Sequence, residues 1–85
     1  MVNGIIVTVR MKEPPLELDM EVPCQIPIQT VCVQLLEALK VIAQPSLKDC
    51  RRICLWSGDT QLRKDRSLAE MGIWDGGTLL AVPEI

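Results

Sequence analysis

The side chains able to carry covalent or metal chemistry are few in this sequence. Four cysteines stand at Cys24, Cys32, Cys50 and Cys54, and histidine and tyrosine are absent. A cysteine nucleophile needs a base to take its proton, and the commonest base is missing. The usual zinc patterns need C-x-x-C pairs or histidines, and the sequence has neither. Paired cysteines become disulfides in oxidising compartments. The expectation here is free, buried or half-buried thiols acting as small hydrophobes. Asp19 and Glu21 alternate along a strand pattern, which is the ordinary use of carboxylates on a solvent face. No glycine-rich phosphate loop follows a strand. This inventory argues against an enzyme and calls for no cofactor and no metal.

What remains is a chain that binds through surface, so its bulk properties matter. The 85 residues are 48% hydrophobic and 24% charged, a globular balance with length for one domain over residues 1–85. The formal net charge of −2 gives no basic face for nucleic acid. No apolar run approaches the roughly 18 residues that a membrane span needs. The start, MVNGIIVTVRM, lacks the cationic opening and long apolar core of a signal peptide. The expected location is the cytoplasm, with no direct membrane insertion.

The elements that must position any binding surface follow from periodicity. Ile5, Val7, Val9 and Met11 alternate with Ile6, Thr8 and Arg10, a strand with one buried face. Lys12 to Pro15 breaks it, because two prolines cannot continue a ladder. Leu16, Leu18, Met20 and Val22 then alternate inward against Glu17, Asp19 and Glu21, completing a hairpin. Pro23 to Pro27 is a turn. From Ile28 the period becomes helical, with Ile28, Val31, Cys32, Leu35, Leu39 and Ile42 on one stripe, Leu36 flanking it, and Pro45 as the stop. Asp49 to Trp56 contains a third strand with Ile53 and Leu55 inward. Gln61-Leu62 forms a short edge strand, and Ser67 caps one helical turn through Gly72. Asp75-Gly76-Gly77 is a turn before the last strand, Thr78 to Val82, which has Leu79 and Ala81 inward. This order implies an α+β fold, a mixed four- to five-stranded sheet with one long helix across one face.

The outward set is unusually apolar. Ile6, Cys54, Trp56, Leu80 and Val82 share the face away from the helix, and exposed apolar clusters usually mark an interface. Trp56 is the favoured anchor. The competing reading is scattered surface hydrophobes, or a crystal or homodimer contact. Val33 and Val41 also point away from the stripe, and ordinary exposed aliphatics explain them better than a second contact. Trp74 is expected to cover the core edge. The prolines are turn punctuation, since no P-x-x-P spacing sits in an exposed linker.

The second half of the chain is similar to ubiquitin in Arg52-Ile53-Cys54-Leu55, Gly58, Leu62, Asp65-Arg66-Ser67-Leu68, Ile73 and Gly77-Thr78-Leu79. The first half resembles a narrower group. Leu18-Asp19-Met20-Glu21-Val22-Pro23, Ile26-Pro27-Ile28-Gln29 and Val31 look like the EsaB/YukD family, as does Ile73-Trp74-Asp75-Gly76-Gly77. These are small bacterial ubiquitin-like proteins of WXG100 (type VII, ESX-like) secretion systems. The chain departs from that pattern at Gln29, where the family has lysine, and at Gly77, where it has an acidic residue.

The resemblance implies a ubiquitin-like β-grasp and a non-enzymatic accessory or regulatory role that works by protein–protein binding. The implied partners are protein components of the secretion machinery, a membrane ATPase or membrane-anchored subunit, which would recruit the chain to the inner face of the membrane. A homodimer is a further candidate. In ubiquitin the apolar patch occupies the positions of Cys54, Leu80 and Val82. The alternatives are a ubiquitin-like modifier or sulfur carrier, or a detached ubiquitin-like domain of a membrane secretion component. A modifier needs Gly-Gly on a flexible tail. Here Gly76-Gly77 precedes the last strand, and only Pro83-Glu84-Ile85 follows it, which favours a turn.

Overall fold

The computed structural model describes residues 4–13, 15–43 and 47–84. The breakers Pro14 and Pro45 lie outside these. Five strands and one helix follow in the order β1 (Gly4–Met11), β2 (Leu16–Pro23), α1 (Ile28–Ile42), β3 (Arg52–Ser57), β4 (Thr60–Gln61) and β5 (Thr78–Glu84). They form one mixed sheet in the order β2-β1-β5-β3-β4. β1 and β2 make the expected hairpin, paired from Gly4 with Pro23 to Met11 with Leu16. The last strand enters the middle of the sheet, parallel to β1 and antiparallel to β3. The α+β expectation holds, with five strands.

Alternation decides which side chains meet the helix. Ile5, Val7, Val9 and Met11 of β1, Ile53 and Leu55 of β3, and Leu79 and Ala81 of β5 are all buried. They pack with Ile28, Val31, Cys32, Leu35, Leu36 and Leu39 of the helix. Leu16, Leu18 and Met20 point to the same side but are only half-buried, because the backbone of α1 packs closest to β3 and leaves the β2 side less covered.

No side chain caps α1 at its N-terminus. Its first free N–H groups are met by a loop, with Ile28 donating to the Arg66 carbonyl (2.8 Å) and Gln29 to the Lys64 carbonyl (3.1 Å). That loop is held by a capping box. Ser67 Oγ accepts from the Glu70 N–H (3.1 Å), and Glu70 Oε1 accepts from the Ser67 N–H (3.0 Å). The Ser67 cap read from the sequence is therefore present, with Glu70 as its reciprocal partner.

Four local expectations differ. Ile42, assigned to the buried stripe, is 56% exposed; the stripe ends at Leu39, and Leu47, after the helix, is buried. Trp74, expected over the core edge, is 55% exposed, and its neighbour Ile73 fills that place. The short strand is Thr60–Gln61, with Leu62 buried just after it. β5 runs on through Pro83 to Glu84. The carbonyl of Gly77 accepts from Thr8, so odd residues of β5 turn their backbone toward β1. β1 stops pairing at Arg10 opposite Leu80. The missing N–H of Pro83 therefore costs no ladder bond.

Candidate protein-binding face

The bare face of the sheet is built from the outward residues of every strand, and register fixes which of them are neighbours. Gln61 pairs with Trp56, Trp56 with Leu80, Leu80 with Arg10, and Arg10 with Glu17, making one line across all five strands. The next line holds Val82 opposite Cys54, and the one beyond holds Glu84 opposite Arg52. Directly opposed pairs sit about 4.5–5.5 Å apart, so Trp56, Leu80, Val82 and Cys54 form one contiguous apolar block.

Of the five residues that alternation puts on this face, Ile6 does not join the block. It stands two same-face positions before Arg10, roughly 13 Å along β1, beyond Thr8 and Thr78. Its neighbours are Glu21 across the hairpin and Asp75, whose Oδ1 accepts the Ile6 N–H at 2.6 Å. Ile6 is 52% exposed among polar groups.

Cys54 is on the bare face but is not an exposed contact. It is 7% exposed and lies outside the core cluster. Its thiol lies 3.6 Å from the Val82 carbonyl, a weak donor contact. Trp56, Leu80 and Val82 are half-buried and form the accessible surface. Leu80 is the shared wall of two hollows. One, about 400 Å³, lies between Trp56, Gly58, Arg10 and Lys12. The other, about 560 Å³, lies between Val82, Lys12, Leu47 and Cys50. Sequence reasoning missed Leu47 and Lys12. Neither belongs to an alternating segment, and only the folded turns bring them to the block.

None of the four cysteines is joined in a disulfide. Burial pushes the Cys32 thiol up, against an opposing pull from Lys64, which keeps it protonated and a poor nucleophile. Among the described residues no three His, Cys, Asp or Glu side chains converge to hold a metal. The depressed carboxyls are surface features. Asp65 is lowered by its hydrogen bonds from Arg63, and Glu70 by the Ser67 N–H and then Arg66.

Gly76 and Gly77 are part of the sheet's framework. Gly76 has φ +87°, a conformation that favours glycine, and its N–H donates to the Ile6 carbonyl at 2.8 Å. A Cβ on Gly77 would lie 3.1 Å from the Trp74 carbonyl oxygen. Both residues lead into the central strand.

A five-stranded mixed sheet in this order, with one helix across one face, defines a ubiquitin-like β-grasp domain. Solved structures agree. The ubiquitin-like domain of EccD5 from Mycobacterium xenopi matches with TM-score 0.77 and 21% identity, over 98% of this chain and 97% of that one. The ubiquitin-like domain of the Mycobacterium tuberculosis type VII secretion protein EccD1 matches with TM-score 0.73 and 20% identity, over 95% and 99%. A chain of an ESX-5 inner membrane complex matches with TM-score 0.78 and 20% identity, over 98% of this chain and 21% of that one. No curated protein sequence matches. The family is given by sequence: the profile for the WXG100 protein secretion system protein YukD matches residues 5–80, and the chain belongs to the YukD family.

Proposed function

We propose that this chain is a non-enzymatic accessory or regulatory component of a type VII secretion system, acting by protein–protein binding and never conjugated to a target. The observation that carries the reading is the contiguous block of Trp56, Leu80, Val82 and Cys54 on the bare face of a YukD-family domain. The fold needs no apolar side chains there, and apolar clusters with an aromatic anchor are what protein partners use. The partner is a membrane ATPase or membrane-anchored subunit of the secretion machinery. A structural relative lies within an ESX-5 inner membrane complex, which supports a partner of that kind. No helix among the described residues is long and apolar enough to cross a membrane. The chain works in the cytoplasm and reaches the membrane through its partner.

Conjugation is the reading set aside. Gly76 and Gly77 are committed to the β1–β5 ladder, where a modifier would need them free. Intact-mass analysis of the native protein checks this, with an unmodified chain expected. A thiocarboxylate or an isopeptide adduct would overturn it. Docking is tested by affinity capture from cells that carry the secretion system. Wild type is expected to recover type VII membrane subunits, and the Trp56→Ala/Leu80→Asp variant to lose them while keeping its circular dichroism spectrum. Equal recovery by both would remove the block as the docking surface.

A further inference from the structure

We propose that the free edge of β2 is a strand-addition site for an extended segment of a partner protein whose side chains alternate basic and aliphatic. This site is separate from the apolar block and does not depend on it.

β2 is an outermost strand of the sheet, paired with β1 along its full length. The backbone direction of each of its residues follows from bonds on the other side of β1. Thr8 donates its N–H to the Gly77 carbonyl, the Ile6 carbonyl accepts from Gly76, and the Ile6 N–H goes to Asp75. Even residues of β1 therefore face β5, and odd residues face β2. Their partners Leu16, Leu18, Met20 and Val22 turn their N–H and C=O groups inward to β1. By alternation the backbone groups of Glu17, Asp19 and Glu21 point out from the edge. Pro23, next in that series, has no N–H, which bounds the donor row to residues 17–21. An unpaired row of strand donors and acceptors has the geometry to receive one more strand.

The two faces of this edge specify the occupant. On the outer face the incoming residues would stand opposite Glu17, Asp19 and Glu21. Glu17 has Arg10 at 3.2 Å, and among the described residues Asp19 has only the Thr8 hydroxyl at 2.7 Å. Glu21 stands opposite Ile6, with no ion pair among the described residues. Lysine or arginine at those positions would match the charge. On the inner face the incoming residues would fall beside Leu18 and Met20, which are half-buried where the helix leaves the sheet less covered. Aliphatic side chains would complete that cover. A second copy of β2 does not fit. Paired antiparallel about Asp19, it would set Asp19 against Asp19 and Glu17 against Glu21, and like charges directly opposed are destabilising.

The test uses the whole chain and two capped synthetic heptapeptides, one alternating lysine and valine and the other glutamate and valine. Amide exchange is read residue by residue by NMR. The lysine–valine peptide is expected to slow exchange at Glu17, Asp19 and Glu21 and to leave the amides of Leu18 and Met20, already bonded to β1, unchanged. Its affinity should exceed that of the glutamate–valine peptide by about tenfold or more, as three cross-strand charge pairs predict, and should fall with added salt. Asp19→Pro removes one outward donor without touching the β1 ladder and should weaken binding. Glu17→Lys/Glu21→Lys should invert the preference between peptides, which separates lost recognition from lost folding. The proposal is overturned if the lysine–valine peptide protects none of the three amides at millimolar concentration, so that the acidic row is an edge guard only. It is equally overturned if both peptides bind alike, if the footprint falls on Trp56 and Leu80, or if the free protein proves to be a dimer through β2.

Discussion

On the covered face of the sheet Val7, Val9, Leu55 and Leu79 are at most 1% exposed. Their immediate chain neighbours on the bare face, Thr8, Arg10, Trp56 and Leu80, are half-buried or exposed. The same strands and the same alternation make both faces, so secondary structure explains neither difference. The helix explains the first face, since it makes water exclusion there a condition of folding. No helix among the described residues covers the second, yet its centre is as apolar as its rim is charged. A residue conserving the fold and a residue serving a partner can thus stand one position apart.

That contrast can be broken at adjacent positions. Leu79→Ala empties a site with no exposure and is expected to cost about 2–5 kcal/mol in denaturant unfolding. Ser67→Ala cuts the capping box that holds the helix-anchoring loop and should cost about 1 kcal/mol by the same measurement. Leu80→Ser, next to Leu79 on the open face, should cost less than about 1 kcal/mol while abolishing capture of the partner. A cost equal to that of Leu79→Ala would erase the distinction between the faces. Acid titration sharpens it further. Glu70 is held below its ordinary value of 4.5 by the Ser67 N–H and Arg66. Its folded pKa lies below its unfolded one, so its contribution is present at neutral pH and is lost as pH falls through the folded value. Glu70→Gln should flatten the acid side of a melting-temperature profile. Val41→Ser, at 76% exposure on the helix, should change stability by less than about 0.5 kcal/mol.

Much of the fold was legible because β1, β2 and α1 are governed by local period. The strand alternation placed Ile5, Val7, Val9 and Met11, and proline chemistry placed the helix start at Ile28. Where period stopped being local, it misled. Ile42 sits at the right angle on the helix wheel but is the last residue of the helix and 56% exposed, and Leu47 takes the interior place from a segment with no period at all. The same limit applies to the site. Parity puts Ile6, Cys54, Trp56, Leu80 and Val82 on one side. Register, set by the pairing of β5 with β1 and β3, decides that Ile6 stands apart and that Cys54 lies opposite Val82. Such long-range pairing leaves no mark in a window of ten residues.

β5 is the last strand in the chain and the middle strand of the sheet. Its register joins Thr8 to Thr78, nearly the full length of the described chain. During synthesis the hairpin, the helix and β3 therefore emerge with no strand to bridge β1 and β3, and the sheet that carries Val7, Val9, Ile53 and Leu55 stays in two pieces until β5 emerges. Closing a loop of that size must precede the contacts that reward it, which makes folding slow for a domain this small. It also makes folding all-or-none: half a sheet has no core to keep.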